Sequence, residues 1–152
     1  MIQRIQSLYL LLITALLIAV LFLPFGVFQT PDTTYEYTAF SIKQAAVGSL
    51  YAMPVWALAV ISVVSATLAF VTIFFYKKRK VQIRLCFWNL LLMVLFYFAY
   101  AIFLVAAMKD LNASLAVGYG LFFPLIAIIL DYLTVLAIRK DEALVKSWDR
   151  IR

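Results

Sequence analysis

The chain has 152 residues, of which 67% are hydrophobic and 13% are charged, and its formal net charge at pH 7 is +6. Soluble domains are about half apolar and about a quarter charged, and a chain of this length has too little interior to hide so much apolar surface from water. The composition therefore predicts a membrane protein. The sequence has no histidine and one cysteine, Cys86, which removes the commonest catalytic base and any intramolecular disulfide.

Four apolar runs are each long enough to cross a bilayer core of about 30 Å, which takes roughly 20 helical residues. They are residues 8–28, 51–76, 85–108 and 115–138. Because backbone polar groups in lipid must bond within their own segment, each run is predicted to be a helix. The predicted fold is an all-α integral membrane four-helix bundle. Its transmembrane domain covers residues 1–138, and a cytoplasmic tail with a short amphipathic helix covers 139–152.

The first run follows a short segment with one basic residue, Arg4, as a signal peptide would. Its apolar core is longer than the usual signal sequence, and no A-x-A-like cleavage site follows in "LPFGVFQTPD". We therefore interpret it as a retained membrane helix.

Two outer loops are predicted, of which the first, about 29–50, is the larger. In "TTYEYT" the alternation of Tyr35 and Tyr37 with Glu36 predicts a short extended segment that packs on the outer ends of the helices. The rest of this loop is interpreted as a connector, with a contact surface for a partner as the alternative. The second loop, "KDLNAS", is predicted to be minimal.

The most charged stretch, "YKKRK", lies between the second and third runs. Read alone, Lys77, Lys78, Arg79 and Lys80 resemble a nuclear-import or nucleic-acid-binding patch. The loop is pinned between two predicted spans, however, and is too close to the bilayer to wrap a nucleic acid. We therefore predict no nucleic-acid binding; the cluster fixes membrane orientation and contacts anionic lipid headgroups.

The basic residues are strongly asymmetric across the predicted membrane. Eleven lie on the side of both termini, against two on the other side: Arg4, Lys77, Lys78, Arg79, Lys80, Arg84, Arg139, Lys140, Lys146, Arg150 and Arg152 against Lys43 and Lys109. Basic residues accumulate on the cytoplasmic side of membrane proteins. Both termini are therefore predicted to be cytoplasmic.

Polar residues inside the spans predict a buried cluster. Asp131 is the only formal charge within a run, and small or polar residues recur around it at spacings of four and three. This stripe is Gly120, Pro124, Ala127, Asp131 and Thr134, and a similar one on the second run is Ser62, Ser65, Ala69 and Thr72. Small residues favour helix contact in lipid, so both stripes are predicted to face the bundle. Pro124, well inside its run, is predicted to kink the helix.

Counting inward from the cytoplasmic ends places further polar residues near the depth of Asp131. The predicted cluster comprises Asp131, Thr134, Asn89, Thr72, Thr14 and Arg84, with Asp131 hydrogen-bonded and Arg84 snorkelling towards it. Three roles stay open for Asp131: fixing the helix register, handling protons or ions, and contacting a partner subunit.

The tail "RKDEALVKSWDRIR" has a narrow apolar stripe if it is helical. Leu144, Trp148 and Ile151 recur at spacings of four and three. Such a helix directly after a span lies on the membrane surface with Trp148 at the interface. The alternative is a docking helix for a cytoplasmic partner.

Three segments, "MIQRIQSLYLLL", "RKVQIRLC" and "AIRKDEALVKSWDRIR", resemble the bacterial domain-of-unknown-function 4293 family of small four-span inner-membrane proteins. The resemblance covers essentially the whole chain. It implies a multi-pass protein of the bacterial inner (cytoplasmic) membrane, and it implies no activity and no catalytic residue.

No enzymatic signature is apparent in the sequence. It lacks a metal-ligand cluster, a nucleophile beside a base and a glycine-rich phosphate loop, and Cys86 is interpreted as a small buried filler rather than a nucleophile. We therefore predict no catalytic, cofactor or metal site. The predicted function is a non-catalytic accessory or assembly subunit that binds other membrane subunits. The alternative is a small oligomeric transporter or channel that uses Asp131.

Overall fold

The computed structural model describes residues 2–31, 33–44, 50–76, 78–111 and 113–149. Helices and strands alternate in groups along the chain. The helices are α1 (Ile2–Val20), α2 (Trp56–Phe74), α3 (Arg79–Leu111) and α4 (Phe122–Asp149), with a 3-10 turn at Tyr119–Leu121. The strands are β1 (Gly26–Gln29), β2 (Thr34–Tyr37), β3 (Ser41–Gln44), β4 (Leu50–Pro54) and β5 (Ser114–Val117).

The helices pack in a closed ring, which we call the bundle: α1 packs on α2 and α4, and α3 packs on the same two helices. Interior positions recur at spacings of four and three, as in coiled coils. On α3 they are Gln82, Cys86, Asn89, Met93, Phe96 and Tyr100, all buried. Both stripes predicted on the second and fourth runs are also buried, which confirms that they face the interior.

Apolar side chains cover the outside of the bundle. Phe98, Val105 and Ile129 are more than half exposed, and many other large apolar residues also lie on the outside of the bundle. Three helical segments, Trp56–Phe74, Arg79–Asp110 and Tyr119–Ala143, are long and apolar enough to cross a membrane, whereas the apolar part of α1, Ile5–Val20, is shorter. An apolar exterior around a partly polar interior indicates a membrane protein.

A five-stranded sheet closes one end of the bundle, in the order β4-β3-β2-β1-β5 with antiparallel neighbours. All four helix ends next to the sheet connect to it: α1 leads into β1, β4 leads into α2, α3 leads into β5, and the 3-10 turn after β5 leads into α4. The chain is mostly helical, as predicted, but the sheet shows that it is not all-α. The extended segment predicted at Tyr35 and Tyr37 is confirmed as β2, but the rest of the loop is not a simple connector.

Aromatic rings fill the junction between the sheet and the bundle. Tyr37 of β2 stacks on Tyr100 of α3 with centroids 5.2 Å apart, and Phe25 meets Tyr37 and Phe96 edge to face at 5.7 and 5.6 Å. Phe28 stacks on Tyr37 at 5.8 Å. Burial, with a smaller contribution from Tyr100, raises the pKa of the Tyr37 phenol. These rings form an apolar seal at this end of the bundle.

Strand formation shortens three of the predicted spans. Helix α1 ends at Val20 because residues 26–29 pair with β2 and β5, α2 begins at Trp56 because 50–54 pair with β3, and α4 begins at Phe122 after β5 and the 3-10 turn. Helix α3 is longer than its predicted span of 85–108 and begins at Arg79. A short apolar strand next to a membrane helix has the same hydropathy as the end of that helix. Composition alone therefore does not show where the helix ends and the strand begins.

The predicted kink at Pro124 is also wrong. Pro124 is the third residue of α4, where the missing amide hydrogen has no intrahelical partner to lose. The turn before it lies against Pro24, since the Gly120 amide donates to the Pro24 carbonyl at 3.1 Å. A Cβ on Gly120 would lie 2.7 Å from that carbonyl oxygen, so this close approach requires glycine.

Candidate functional site: a buried polar cluster in the bundle

Four of the six residues predicted for the polar cluster are buried. Asp131, Thr134 and Thr72 are 0% exposed and Asn89 is 1% exposed. Thr14 is only partly buried. The spacing of these residues along their helices explains why they are buried. Asp131 and Thr134 lie on one face of α4, and Thr72 and Ser65 lie on one face of α2.

One hydrogen bond joins two helices inside the cluster. The Ser65 hydroxyl of α2 donates to Asn89 Oδ1 of α3 at 2.6 Å, so the Asn89 amide is oriented by a side chain from the neighbouring helix. Asn89 and the Cys86 thiol both lie beside the Asp131 carboxyl, close enough to interact with it electrostatically. Residues from α2, α3 and α4 therefore meet at one depth.

Neither carboxyl oxygen of Asp131 has a partner at good hydrogen-bond geometry in the described part of the chain, although the Cys86 thiol and Asn89 lie within reach of the carboxyl. The three threonines do not supply the predicted bonds. The hydroxyls of Thr14, Thr72 and Thr134 donate to the carbonyls of Leu10, Leu68 and Leu130 in their own helices, at 2.9, 2.7 and 2.8 Å. A hydroxyl that bonds the preceding turn has used its only hydrogen.

The predicted approach of Arg84 to Asp131 is wrong. Arg84 is exposed, and it forms no ion pair with any residue that the structure describes. Helix geometry gives the reason. Arg84 follows the buried Gln82 by two positions, and two steps of about 100° place it on the opposite face of α3.

Two glutamines belong to the same interior and were not predicted. Gln82 is 2% exposed and Gln6 is 5% exposed, and neither Gln82 Oε1 nor Gln6 Nε2 has a partner among the described residues. The positions of both glutamines in the sequence could have predicted their burial. Gln82 continues the stripe of Cys86 and Asn89 by one turn, and Gln6 precedes Leu10 by four residues.

The basic cluster divides between two environments. Arg79, predicted to contact lipid headgroups, instead pairs with Asp141 of α4, with Nη2 and Oδ2 3.0 Å apart, and its Nη1 donates to the Asp141 carbonyl at 3.3 Å. Lys78 and Lys80 are exposed. Lys77 lies outside the described residues. The ion pair ties the first turn of α3 to α4 at the end of the bundle opposite the sheet, which we call the basic end.

The predicted tail helix is not a separate element. Helix α4 runs without a break from Phe122 to Asp149, so the boundary at 138/139 falls inside a helix. Leu144 and Trp148 lie in α4, but the described residues do not include their side chains or Ile151. The interfacial stripe therefore stays a prediction.

A helical ring with an apolar exterior, a polar interior and a sheet at one end defines a small helical membrane protein. Among the described residues, no group of three or more histidine, cysteine, aspartate or glutamate side chains could hold a metal ion. The family model described as "Domain of unknown function (DUF4293)" matches residues 2–151, and the chain belongs to that family. Among curated proteins, none is significantly similar to the chain.

Proposed function

We propose that the protein is a non-catalytic, multi-pass subunit of the bacterial inner membrane that helps to assemble or support a larger membrane complex. In this proposal all four helices cross the bilayer, both termini are cytoplasmic, and the sheet lies on the outer side. The apolar part of α1, Ile5–Val20, makes a helix of about 24 Å, which spans most of a bilayer core of about 30 Å. The excess of basic residues at the basic end supports this orientation.

The observation that carries the proposal is the open edge of β5. Strand β5 is last in the sheet order, and among the described strands only β1 pairs with it. The Gly118 amide donates to the Phe25 carbonyl at 2.8 Å. Bonded and non-bonded pairs alternate along an antiparallel ladder, so the amides and carbonyls of Leu115 and Val117 point outwards from the sheet.

This edge has the chemistry that accepts another strand. Its sequence, "SLAV", carries no charge and no proline, and Val117 is 59% exposed. Proteins that keep an edge unpaired usually protect it with lysine, proline or a bulge. We propose that the occupant is an uncharged extended segment from the outer side of another membrane subunit, added as a further strand.

Replacement of Val117 by proline tests this docking. The substitution removes the outward amide but keeps the Ala116 and Gly118 amides that face β1, a position that sheets tolerate for proline. Loss of a ladder hydrogen bond, together with the steric block, is expected to weaken partner binding by roughly tenfold. The measurement is quantitative co-purification in mild detergent, together with photo-crosslinking from position 117.

The matched control is Val117→Thr, which preserves the edge amide and the branched side chain. Equal recovery of the same membrane partner with Val117→Pro and Val117→Thr would exclude the edge as its docking site. A crosslink found only to a second copy of the chain would show that the β5 edge mediates self-association and does not bind a different subunit. Thermal unfolding of both variants checks that the sheet itself is intact.

Anionic headgroups on the cytoplasmic side are proposed as the lipid contacts of the basic end. Lys78 and Lys80 are exposed, and each basic residue near a charged membrane surface contributes about 1 kcal/mol. Arg79 is paired with Asp141 and is 25% exposed, so we propose a smaller contribution from it than from the two exposed lysines.

A small oligomeric transporter or channel is the second candidate, and it is favoured by one observation: Asp131 is fully buried with no hydrogen-bond partner among the described residues. Intramembrane acids of this kind occur in ion and proton pathways. Proton-driven or ion flux in liposomes that disappears in Asp131→Asn would favour transport. Stable co-purification without flux would favour the subunit.

A further inference from the structure

The Asp131 carboxyl is isolated from cationic groups. It is 0% exposed, Arg84 is on the far face of α3, and Arg79 is paired with Asp141 at the basic end. An ionised carboxylate without a cation is strongly disfavoured in a low-dielectric interior. The neutral acid removes this cost and converts one carboxyl oxygen from an acceptor into a donor.

The described groups beside Asp131 carry no positive charge. Asn89 Oδ1 accepts from Ser65, so the amide group that faces Asp131 is the donor Nδ2. A donor can hydrogen-bond either form of a carboxyl, so it is the lack of a cation among the described neighbours that favours the neutral acid. The titratable neighbour on α3 is the Cys86 thiol, Ser65 on α2 is uncharged, and the buried α1 side chains Leu10 and Ile13 are apolar.

Polar groups continue from this layer towards the basic end. The Ser65–Asn89 bond sets the register of α2 and α3, which are antiparallel neighbours joined by a short turn. One heptad further towards the basic end, seven residues along each helix, lie Thr72 and Gln82. Gln82 Oε1 and, on α1, Gln6 Nε2 are buried without partners in the described part of the chain, so both can hydrogen-bond a passing water.

Towards the sheet the interior is mostly apolar, and the buried Ser62 hydroxyl there donates to the Leu58 carbonyl of its own helix. One heptad step from Asn89 in this direction, α3 presents Phe96 after Met93, and the rings of Phe25, Tyr37 and Tyr100 lie beyond. The described buried hydroxyls without partners at this end are those of Tyr37, Tyr100 and Ser41, and the two tyrosines belong to the aromatic seal. The polar route therefore runs from Asp131 to one end of the bundle only.

We propose that Asp131 is a reversible proton-binding site that exchanges with water at the basic end past the unpartnered amide groups of Gln82 and Gln6. A hydronium ion gives its proton to a carboxylate oxygen, forming an O–H bond and releasing a neutral water molecule. The aromatic seal blocks exchange with the sheet side, so the site is a one-sided proton acceptor and not a continuous pore. This inference does not depend on the strand-docking proposal.

The first test uses a lipid-soluble carbodiimide. A protonated carboxyl adds across one C=N bond of the reagent, its proton going to nitrogen, and the O-acylisourea formed rearranges by acyl transfer to a stable N-acylurea. The purified full chain in liposomes is treated over a range of pH, and the modified peptide is quantified by mass spectrometry. We expect an adduct on Asp131 that decreases about tenfold per pH unit once the acid ionises, as a single proton equilibrium requires. Asp110, which is exposed, is the internal reference for an aqueous carboxyl.

The second test follows proton exchange directly. After a pH jump at the basic end, the infrared band of the protonated carboxyl is followed over time in wild type, Gln82→Leu and Met93→Leu. Gln82→Leu is expected to slow the change by about tenfold or more because it removes the polar layer. Met93→Leu, a similar-sized change on the sheet side, is expected to leave the rate unchanged.

Two results would overturn the inference. An Asp131 that shows neither adduct nor protonated-carboxyl band at any pH is ionised and paired with a cation. An adduct or band that does not respond to pH belongs to an acid that water does not reach. Equal slowing in Gln82→Leu and Met93→Leu would refute the one-sided route. Both readouts use the wild-type chain, so they stand even if Asp131→Asn does not fold.

Discussion

Tyr37 shows how a single buried atom affects the sheet junction. Its ring contacts Phe25, Phe28 and Tyr100, yet its hydroxyl has no partner among the described residues. A buried hydroxyl that makes no hydrogen bond costs about 1–3 kcal/mol. The aromatic contacts therefore stabilise the junction despite the phenol.

Tyr37→Phe is expected to raise the free energy of unfolding by about 1 kcal/mol, because it keeps the ring and removes the unpaired hydroxyl. Such a change raises Tm by about 2–4 °C in a chain of this size. Thermal unfolding in detergent measures it, with Tyr119→Phe at a position that is 86% exposed as the control. A Tm that falls in Tyr37→Phe would show that the hydroxyl is bonded.

The same residue predicts a dependence on pH. Burial raises the pKa of Tyr37 in the folded protein, so the folded state favours the neutral phenol. Its contribution to stability is fully present below the ordinary tyrosine value of about 10 and is lost as pH rises above it. The Tm of wild type is therefore expected to fall more steeply above pH 10 than that of Tyr37→Phe. Parallel curves would contradict this.

At the scale of one helix, the Arg79–Asp141 pair ties the later part of α4 to the first turn of α3 at the basic end. Both side chains are partly buried, 25% and 14% exposed, and such a pair contributes up to about 1 kcal/mol. Arg79→Gln is expected to increase hydrogen exchange by up to roughly fivefold in residues 139–145 of α4. Lys80→Gln, at the exposed neighbouring position, is the control. Similar exchange in both variants would show that the pair does not restrain α4.

The sequence predicted the interior faces of the helices better than their ends. The stripes through Ser65 and Asp131 follow from the spacing of small and polar residues, because a helix buries one face at a fixed period. The strands at Gly26–Gln29 and Ser114–Val117 could not be predicted in the same way. Their pairing joins segments far apart in the chain, and β-propensity depends on such tertiary context.

Prediction of the polar cluster was limited by what spacing can reveal. Burial of Asn89 and Asp131 follows from their helix faces, whereas hydrogen bonding depends on where a neighbouring helix places its own donors. Thr72 and Thr134 are buried, but their hydroxyls bond their own helices. Gln6 and Gln82 were missed because uncharged residues near helix ends resemble ordinary interfacial positions.

At the scale of the whole molecule, the proposed threading makes the basic end accessible from the cytoplasm and the sheet accessible from the outer side of the membrane. In a Cys86→Ser background, Lys80→Cys is expected to react with a membrane-impermeant thiol reagent only after the cytoplasmic face is exposed. Lys43→Cys, in β3, is expected to react in intact cells. Both positions are exposed, so burial does not limit labelling. Reaction of both cysteines from one face would refute the four-span threading.

The pairing of β1 with β5 has a consequence for biogenesis. Residues 26–29 leave the ribosome long before 114–117, and α2 and α3 separate them. In the proposed topology, the edge of β1 that later pairs with β5 stays unpaired until both α2 and α3 have been inserted into the membrane. If only one of them crosses, β5 emerges in the wrong compartment and β1 stays unpaired, which is the type of defect that quality-control proteases recognise. In the proposed topology, a complete sheet on the outer side therefore forms only in molecules in which both α2 and α3 have been inserted.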